Sequence, residues 1–159
     1  MTEPLRAERT TVDGAHIEWL DVPERARLLD LAPHPEGGWY RRTWTGGTPV
    51  DTAGGVRPAA TLIHFLLPVG EQSLWHKVVS DEIWLWHGPG TLTLELGGTG
   101  EHPDIAESIR LGPDLEAGQV LQLLVPAGVW QRTLPAAEET LVSCVVSPGF
   151  SFEDWQLEK

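Results

Sequence analysis

Cysteine is nearly absent from this chain of 159 residues: Cys144 stands alone inside the apolar run LVSCVV, so no internal disulfide can form and the residue reads as a small buried hydrophobe. Basic residues are scarce as well. Eleven Lys and Arg face 23 Asp and Glu, a net charge of −12 that excludes nucleic acid and anionic membrane surfaces as natural partners and points to small molecules. No apolar run approaches the roughly 20 residues that a membrane-spanning helix needs. The N-terminal MTEPLRAERTTVDGAHIEW lacks the apolar stretch and small-residue cleavage site of a secretory signal. These absences predict a cytoplasmic protein of a reducing compartment, and the length fits one domain over residues 1–159 with a core of useful size.

What the chain does have is turn chemistry and tryptophan. Only residues 21–31, DVPERARLLDL, carry a helical signature: Asp21 as cap, Pro23 in the first turn, and Leu28, Leu29 and Leu31 as an apolar stripe. The following LAPHPEGGWYRRTW turns on its prolines and paired glycines before an aromatic strand start, and the stretch from Thr45 to Pro58 reads as a mobile loop beside the site. From Ala59 onward short strands recur between Gly, Pro and Asp clusters: 60–67, 74–79, 82–88, 91–96, 108–112, 120–126, 130–134 and 140–147, with a short return at FEDWQL. That spacing predicts an all-β jelly roll or small barrel with one short N-terminal helix.

Alternation assigns the faces. In TLTLEL, Leu92, Leu94 and Leu96 point one way and Thr91, Thr93 and Glu95 the other. In EIWLWH, Glu82, Trp84 and Trp86 share one face and Ile83, Leu85 and His87 the other, so both faces are largely apolar and one of them has room to meet a second subunit.

The segment GEQSLWH, followed by Glu82 and Gly88, resembles the first cupin motif, a glycine, five residues, His-x-His, three or four residues, Glu and a second glycine. Gly118 with PAGVWQ resembles the second cupin motif, where Pro-x-Gly-x-x leads to a histidine. The four blocks PHPEGGWYRRTW, SLWHKVVSDEIWLWHG, LVPAGVWQ and SPGFSFEDW, in that order over residues 28–157, are similar to the PHPEGG subgroup of the cupins, family five, a domain of unknown function. The resemblance implies a double-stranded β-helix, the cupin jelly roll, as a homodimer.

A fully ligated cupin supplies three histidines and a glutamate to Fe, Mn, Ni or Zn. Here His76 and Glu82 hold two of those places, Val78 fills the second-histidine position and Gln131 the last, leaving His76, Glu82 and Gln131 as a reduced metal set that His64 could complete, or His87 if a bulge turned it to the side of Glu82. Without metal, His76 and Glu82 still form an acid/base pair suited to epimerisation at an acidic C–H, isomerisation or dehydration of a small polar or sugar-like molecule. The leading expectation is therefore a lyase or isomerase with His76 and Glu82 as catalytic residues. Its alternatives are a metal-dependent cupin and a non-catalytic metabolite-binding module.

Substrate-binding candidates surround that pair. Gln131 and Arg41 orient the substrate, Arg41 as a bidentate clamp for a carboxylate or phosphate, and His64 joins them. Trp75 and Trp130 flank His76 and Gln131 in the two motifs, and with Trp84 they are candidates to stack on a ring. Arg42 stands where relatives commonly carry an acid. Glu36, Gly37 and Gly38 read as turn chemistry, and His34, between two prolines, as a loop residue.

Overall fold

Short strands separated by Gly, Pro and Asp turns build two facing sheets in a computed structural model that describes residues 3–105 and 107–159. The chain opens with a hairpin of β1 (Arg6–Thr10) and β2 (His16–Asp21), then helix α1 (Glu24–Leu29), β3 (Ala32–Pro33), β4 (Trp39–Thr45) and a second hairpin of β5 (Pro49–Thr52) and β6 (Gly55–Pro58). There follow β7 (Thr61–Leu67), β8 (His76–Val78), β9 (Asp81–Pro89), β10 (Leu92–Leu96), β11 (Glu107–Leu111), β12 (Gln122–Val125), β13 (Gln131–Thr133) and β14 (Thr140–Ser147). A 3₁₀ turn over Phe152–Asp154 leads into β15 (Trp155–Leu157). One sheet runs β12-β9-β14-β7-β4-β3 and the other β11-β10-β13-β8-β15. This is the predicted mostly-β fold with one short helix.

The two inner faces meet in one core. Leu92, Leu94, Leu96 and Leu111 come from the smaller sheet, and Phe65, Leu67, Trp84, Val125, Val142 and Cys144 from the larger. Alternation in β10 holds as read: its three leucines are buried while Thr93 and Glu95 are half-buried. Each buried leucine contributes on the order of 1.5–3 kcal/mol relative to exposure. In β9, Glu82 and Trp84 point into the core, whereas Ile83 and His87 face outward. The register with β14 slips between Leu141 and Val142, opposite His87, yet His87 stays on the outer side, its Nε2 2.6 Å from the Ser143 hydroxyl.

Three sequence expectations change. The helix is shorter than 21–31, and Pro23 rather than Asp21 is its N-cap, with no side-chain cap. Leu28 is 66% exposed; the buried positions are Ala26 and Leu31, which join Trp39 and Leu66 in a second cluster beneath the helix. Asp30, in the left-handed region at φ 56°, ends the helix and turns Leu31 inward. The stretch from Thr45 to Pro58 is a paired hairpin rather than an open loop, because Arg57 at its end is buried and forks onto Asp154 at 2.7 and 3.0 Å. The β1–β2 hairpin is also absent from the sequence reading, since its mixed charges hide the strand pattern. Among the described residues no helix is long and apolar enough to cross a membrane.

Candidate functional site

The PHPEGG segment connects β3 to β4 as a tight turn, with the His34 amide donating to the Gly38 carbonyl and the Gly37 amide to His34. Both glycines are needed. Gly37 and Gly38 sit at φ 108° and 77°; a Cβ on Gly37 would run into the Gln72 carbonyl, and one on Gly38 would come within 2.5 Å of the Phe65 ring. Arg9, from β1, fastens the turn by donating to the carbonyls of His34 and Gly38 at 3.0 and 2.9 Å and to Glu71 at 2.7 Å. Glu71 in turn accepts from the Trp39 indole and the Gly38 amide. The result aims His34 and Glu36 inward.

Their target is a cavity between the sheets, about 560 Å³ with its mouth included, whose polar floor is His34, Glu36, His76 and Glu82. Apolar side chains, among them Phe65, Ile63 and Val146, form most of its wall. His76 Nδ1 lies 2.7 Å from the Leu74 carbonyl, which only accepts, so that nitrogen carries hydrogen. Its Nε2 is 3.3 Å from Glu36 Oε2. Glu36 also receives the Ser73 hydroxyl and the Trp155 indole, and its other oxygen lies 3.4 Å from His34 Nε2. His34 Nδ1 accepts the Glu36 amide, which fixes its neutral tautomer.

These surroundings set the charges. Burial alone would raise the Glu36 pKa, but the adjacent His34 and His76 rings, the Ser73 hydroxyl and the Trp155 indole outweigh it and hold the carboxyl below its ordinary range. Burial lowers His34 to about 4, against the pull of Glu36. Glu82 goes the other way. Burial, reinforced by the Glu36 charge, pushes it up to about 7, opposed by His76 and by hydrogen bonds from Gln131 and Cys144. Gln131 donates to Glu82 at 2.7 Å and accepts the Trp84 indole at 2.9 Å.

Of the residues singled out from the sequence, His76, Glu82 and Trp84 line the cavity, and Gln131 lies behind Glu82 as its hydrogen-bond donor. Arg41 and His64 do not: they pair with each other on the outer face of the large sheet, where Arg41 lies 4.0 Å from Asp30. Strand alternation from Tyr40 places Arg42 instead on the cavity side of the strand, where it is exposed and lines the cavity at its mouth. Trp75 carries the Arg132 guanidinium over its ring at 4.7 Å, and buried Trp130 donates to the Gly100 carbonyl; both lie away from the cavity. His34 and Glu36, read from sequence as turn residues, are central to it. The near contact of His76 is Glu36 rather than Glu82.

A metal on His76, Glu82 and Gln131 does not fit these bonds. The Trp84 N–H only donates, so the Gln131 atom facing it is the amide oxygen, already engaged, and the amide nitrogen facing Glu82 has no lone pair to give. Val78 offers no ligand, and among the described residues no three His, Cys, Asp or Glu side chains are grouped to hold a metal ion.

Two sheets closed over such a polar floor define a cupin-type protein, and comparison with known proteins agrees. The model of the family described as Cupin superfamily (DUF985) matches residues 24–158, so the chain belongs to that family. It is 32% identical to the uncharacterized protein YML079W of Saccharomyces cerevisiae, over 93% of this chain and 84% of that one. Two solved structures are similar across the fold. A hypothetical protein from Leishmania major has a TM-score of 0.76 at 32% identity, covering 84% of this chain and 85% of its own. Protein SO0799 from Shewanella oneidensis has a TM-score of 0.74 at 34% identity, covering 86% of this chain and 83% of its own.

Proposed function

We propose that this cupin is an acid/base enzyme of the isomerase or lyase type acting on a small polar molecule held in the cavity. The observation that carries the reading is the presence in one largely apolar cavity of Glu82, poised near pH 7, and of an imidazole backed by a second carboxylate, Glu36. A group with pKa near the working pH both takes and gives protons readily. In this scheme the Glu82 carboxylate takes a proton from a carbon beside a carbonyl, and His76, entering as the imidazolium, donates its Nε2 hydrogen to the developing enolate oxygen. Collapse of the enol with its hydrogen returning to His76 and a solvent proton arriving on the opposite face gives an epimer, the Glu82 proton passing to solvent; return of the Glu82 proton to the neighbouring carbon of an enediol gives an isomer. Return of the enol hydrogen to His76 and its passage to a departing β-hydroxyl releases water and gives a dehydration product, the hydrogen first taken from carbon remaining on Glu82. Glu36 is a positioning residue that holds the imidazole, with Ser73 and Trp155 fixing the carboxylate.

The test is solvent exchange. A panel of 2-hydroxy acids, 2-oxo acids and sugar phosphates in deuterated water, followed by proton NMR, is expected to show exchange at a carbon-bound hydrogen that Glu82→Gln and His76→Asn each reduce at least about 100-fold, the contribution typical of a positioned acid or base. Exchange unchanged in both variants overturns the reading. Saturable binding with no exchange for any compound favours a non-catalytic binding module.

The same proposal includes a homodimer through the outer face of the large sheet. Strand pairing aligns Leu124, Ile83, Val145 and Leu62 in one row there, and Ile83 and Leu124 are exposed apolar residues. Light scattering is expected to give twice the chain mass and, for Ile83→Glu, the mass of one chain.

A further inference from the structure

We infer that the cavity recognises an anionic substituent, a carboxylate or phosphate, through Arg42 on its wall, and that the substrate is therefore a small organic acid or phosphate ester with an apolar body. This deepens the acid/base reading by naming the substrate class, and it rests on that reading only for the place where the molecule sits.

Three observations converge. First, among the described residues seven of the nine arginines reach a carboxylate within 4.0 Å, as expected in so acidic a chain, and Arg42 is one of the two that do not. Second, among the described residues the guanidinium commits one of its five N–H groups, from Nη2 to the Phe150 carbonyl at 2.9 Å. That bond anchors the group beside the cavity and leaves a fork for a bidentate acceptor. Third, the charges are graded. The floor holds Glu36, kept ionised, and Glu82, so an anion is repelled there and attracted at Arg42; an acid would enter with its charged end on the arginine and its reactive carbon toward the floor.

The wall beside Arg42 suits the rest of such a molecule. Phe150 and Phe152 meet edge to face at 5.0 Å, and both line the cavity with Ile63, so an apolar or planar body has rings to pack against. Arg41, one residue earlier, cannot serve, because alternation turns it to the outer face.

The test uses simple probes with the full chain: benzoate, phenyl phosphate and inorganic phosphate as anions, benzamide as the neutral counterpart of benzoate. Calorimetry gives affinity, and the NMR signal of the Arg42 Nε–H reports contact. Benzoate or phenyl phosphate is expected to bind at least tenfold more tightly than benzamide, to shift the Arg42 signal, and to lose at least tenfold in affinity in Arg42→Gln with partial recovery in Arg42→Lys. Whichever of the two binds better assigns the carboxylate or the phosphate source, and a response to inorganic phosphate alone overturns the apolar-body part of the inference. Equal affinity of wild type and Arg42→Gln for the anions, equal binding of benzoate and benzamide, or no anion binding at all overturns the inference as a whole. None of these readouts involves turnover. Absence of anion binding by the wild type with proton exchange present therefore counts against Arg42 alone, and absence of exchange with Arg42-dependent anion binding present counts against the acid/base reading alone.

Discussion

The PHPEGG turn and strand β9 each place a buried glutamate in the same cavity, and the two carboxyls end in opposite states. Glu36 is surrounded by two imidazoles, a hydroxyl and an indole N–H, which keep it ionised despite full burial. Glu82, on the same floor, is fully buried with one short amide hydrogen bond and the repulsion of Glu36, and its pKa rises to about 7. Burial is common to both; the number and charge of the neighbouring donors decides the outcome. A charge-fixing half and a proton-exchanging half then sit side by side, as acid/base work requires.

The contrast breaks most severely at its fastening. Arg9→Ala leaves Glu71 and two carbonyls of the turn without their buried donor, and is expected to cost about 3 kcal/mol, as breaking a buried ion pair does. Urea denaturation measures this, and a cost near zero would show that the turn holds itself.

Stability against pH separates the two halves next. His34, depressed to about 4, favours the fold at high pH and withdraws that stability as pH falls from 6.5 toward 4. Glu82, raised to about 7, does the reverse, favouring the fold below pH 4.5 and withdrawing stability as pH rises through 7. Each shift corresponds to about 3 kcal/mol. Relative to wild type, Glu82→Gln should therefore gain about 3 kcal/mol between pH 4.5 and 8, and His34→Gln should gain a similar amount as pH falls from 7 to 4. Parallel denaturation series at stepped pH check both signs.

Smaller effects sharpen the comparison. Gln131→Leu removes the donor to Glu82 and the acceptor of the Trp84 indole, at a cost of about 2 kcal/mol, and should push the Glu82 pKa further above 7 in a carbon-13 NMR titration. Trp75→Leu, away from the cavity, should cost about 1 kcal/mol through the Arg132 contact and leave the Glu82 titration where it was.

The strands from β7 to β14 were legible because turn residues punctuate them and alternation is regular; β14 falls on 140–147 as predicted. His76 and Glu82 were legible through motif spacing. His34 and Glu36 were not, because a proline and glycine turn explains itself locally, while their inward aim depends on Arg9, 25 residues before His34, and on Ser73 beyond β7. Arg42 left no better signal, because Tyr40 shares its face and Trp39 shares that of Arg41, so alternation alone does not choose between the two arginines. For His64 alternation is mute, since Leu62 and Leu66 on one side of β7 are as apolar as Ile63 and Phe65 on the other, and nothing in the strand says which side is the core.

Arg9 lies ahead of the residues that carry the family signature, 24–158. A fragment cut to that signature would keep every residue of the cavity floor and still lose the brace that aims half of it, so where the gene is truncated for expression would itself decide whether a lost activity reports on chemistry or on a missing hairpin.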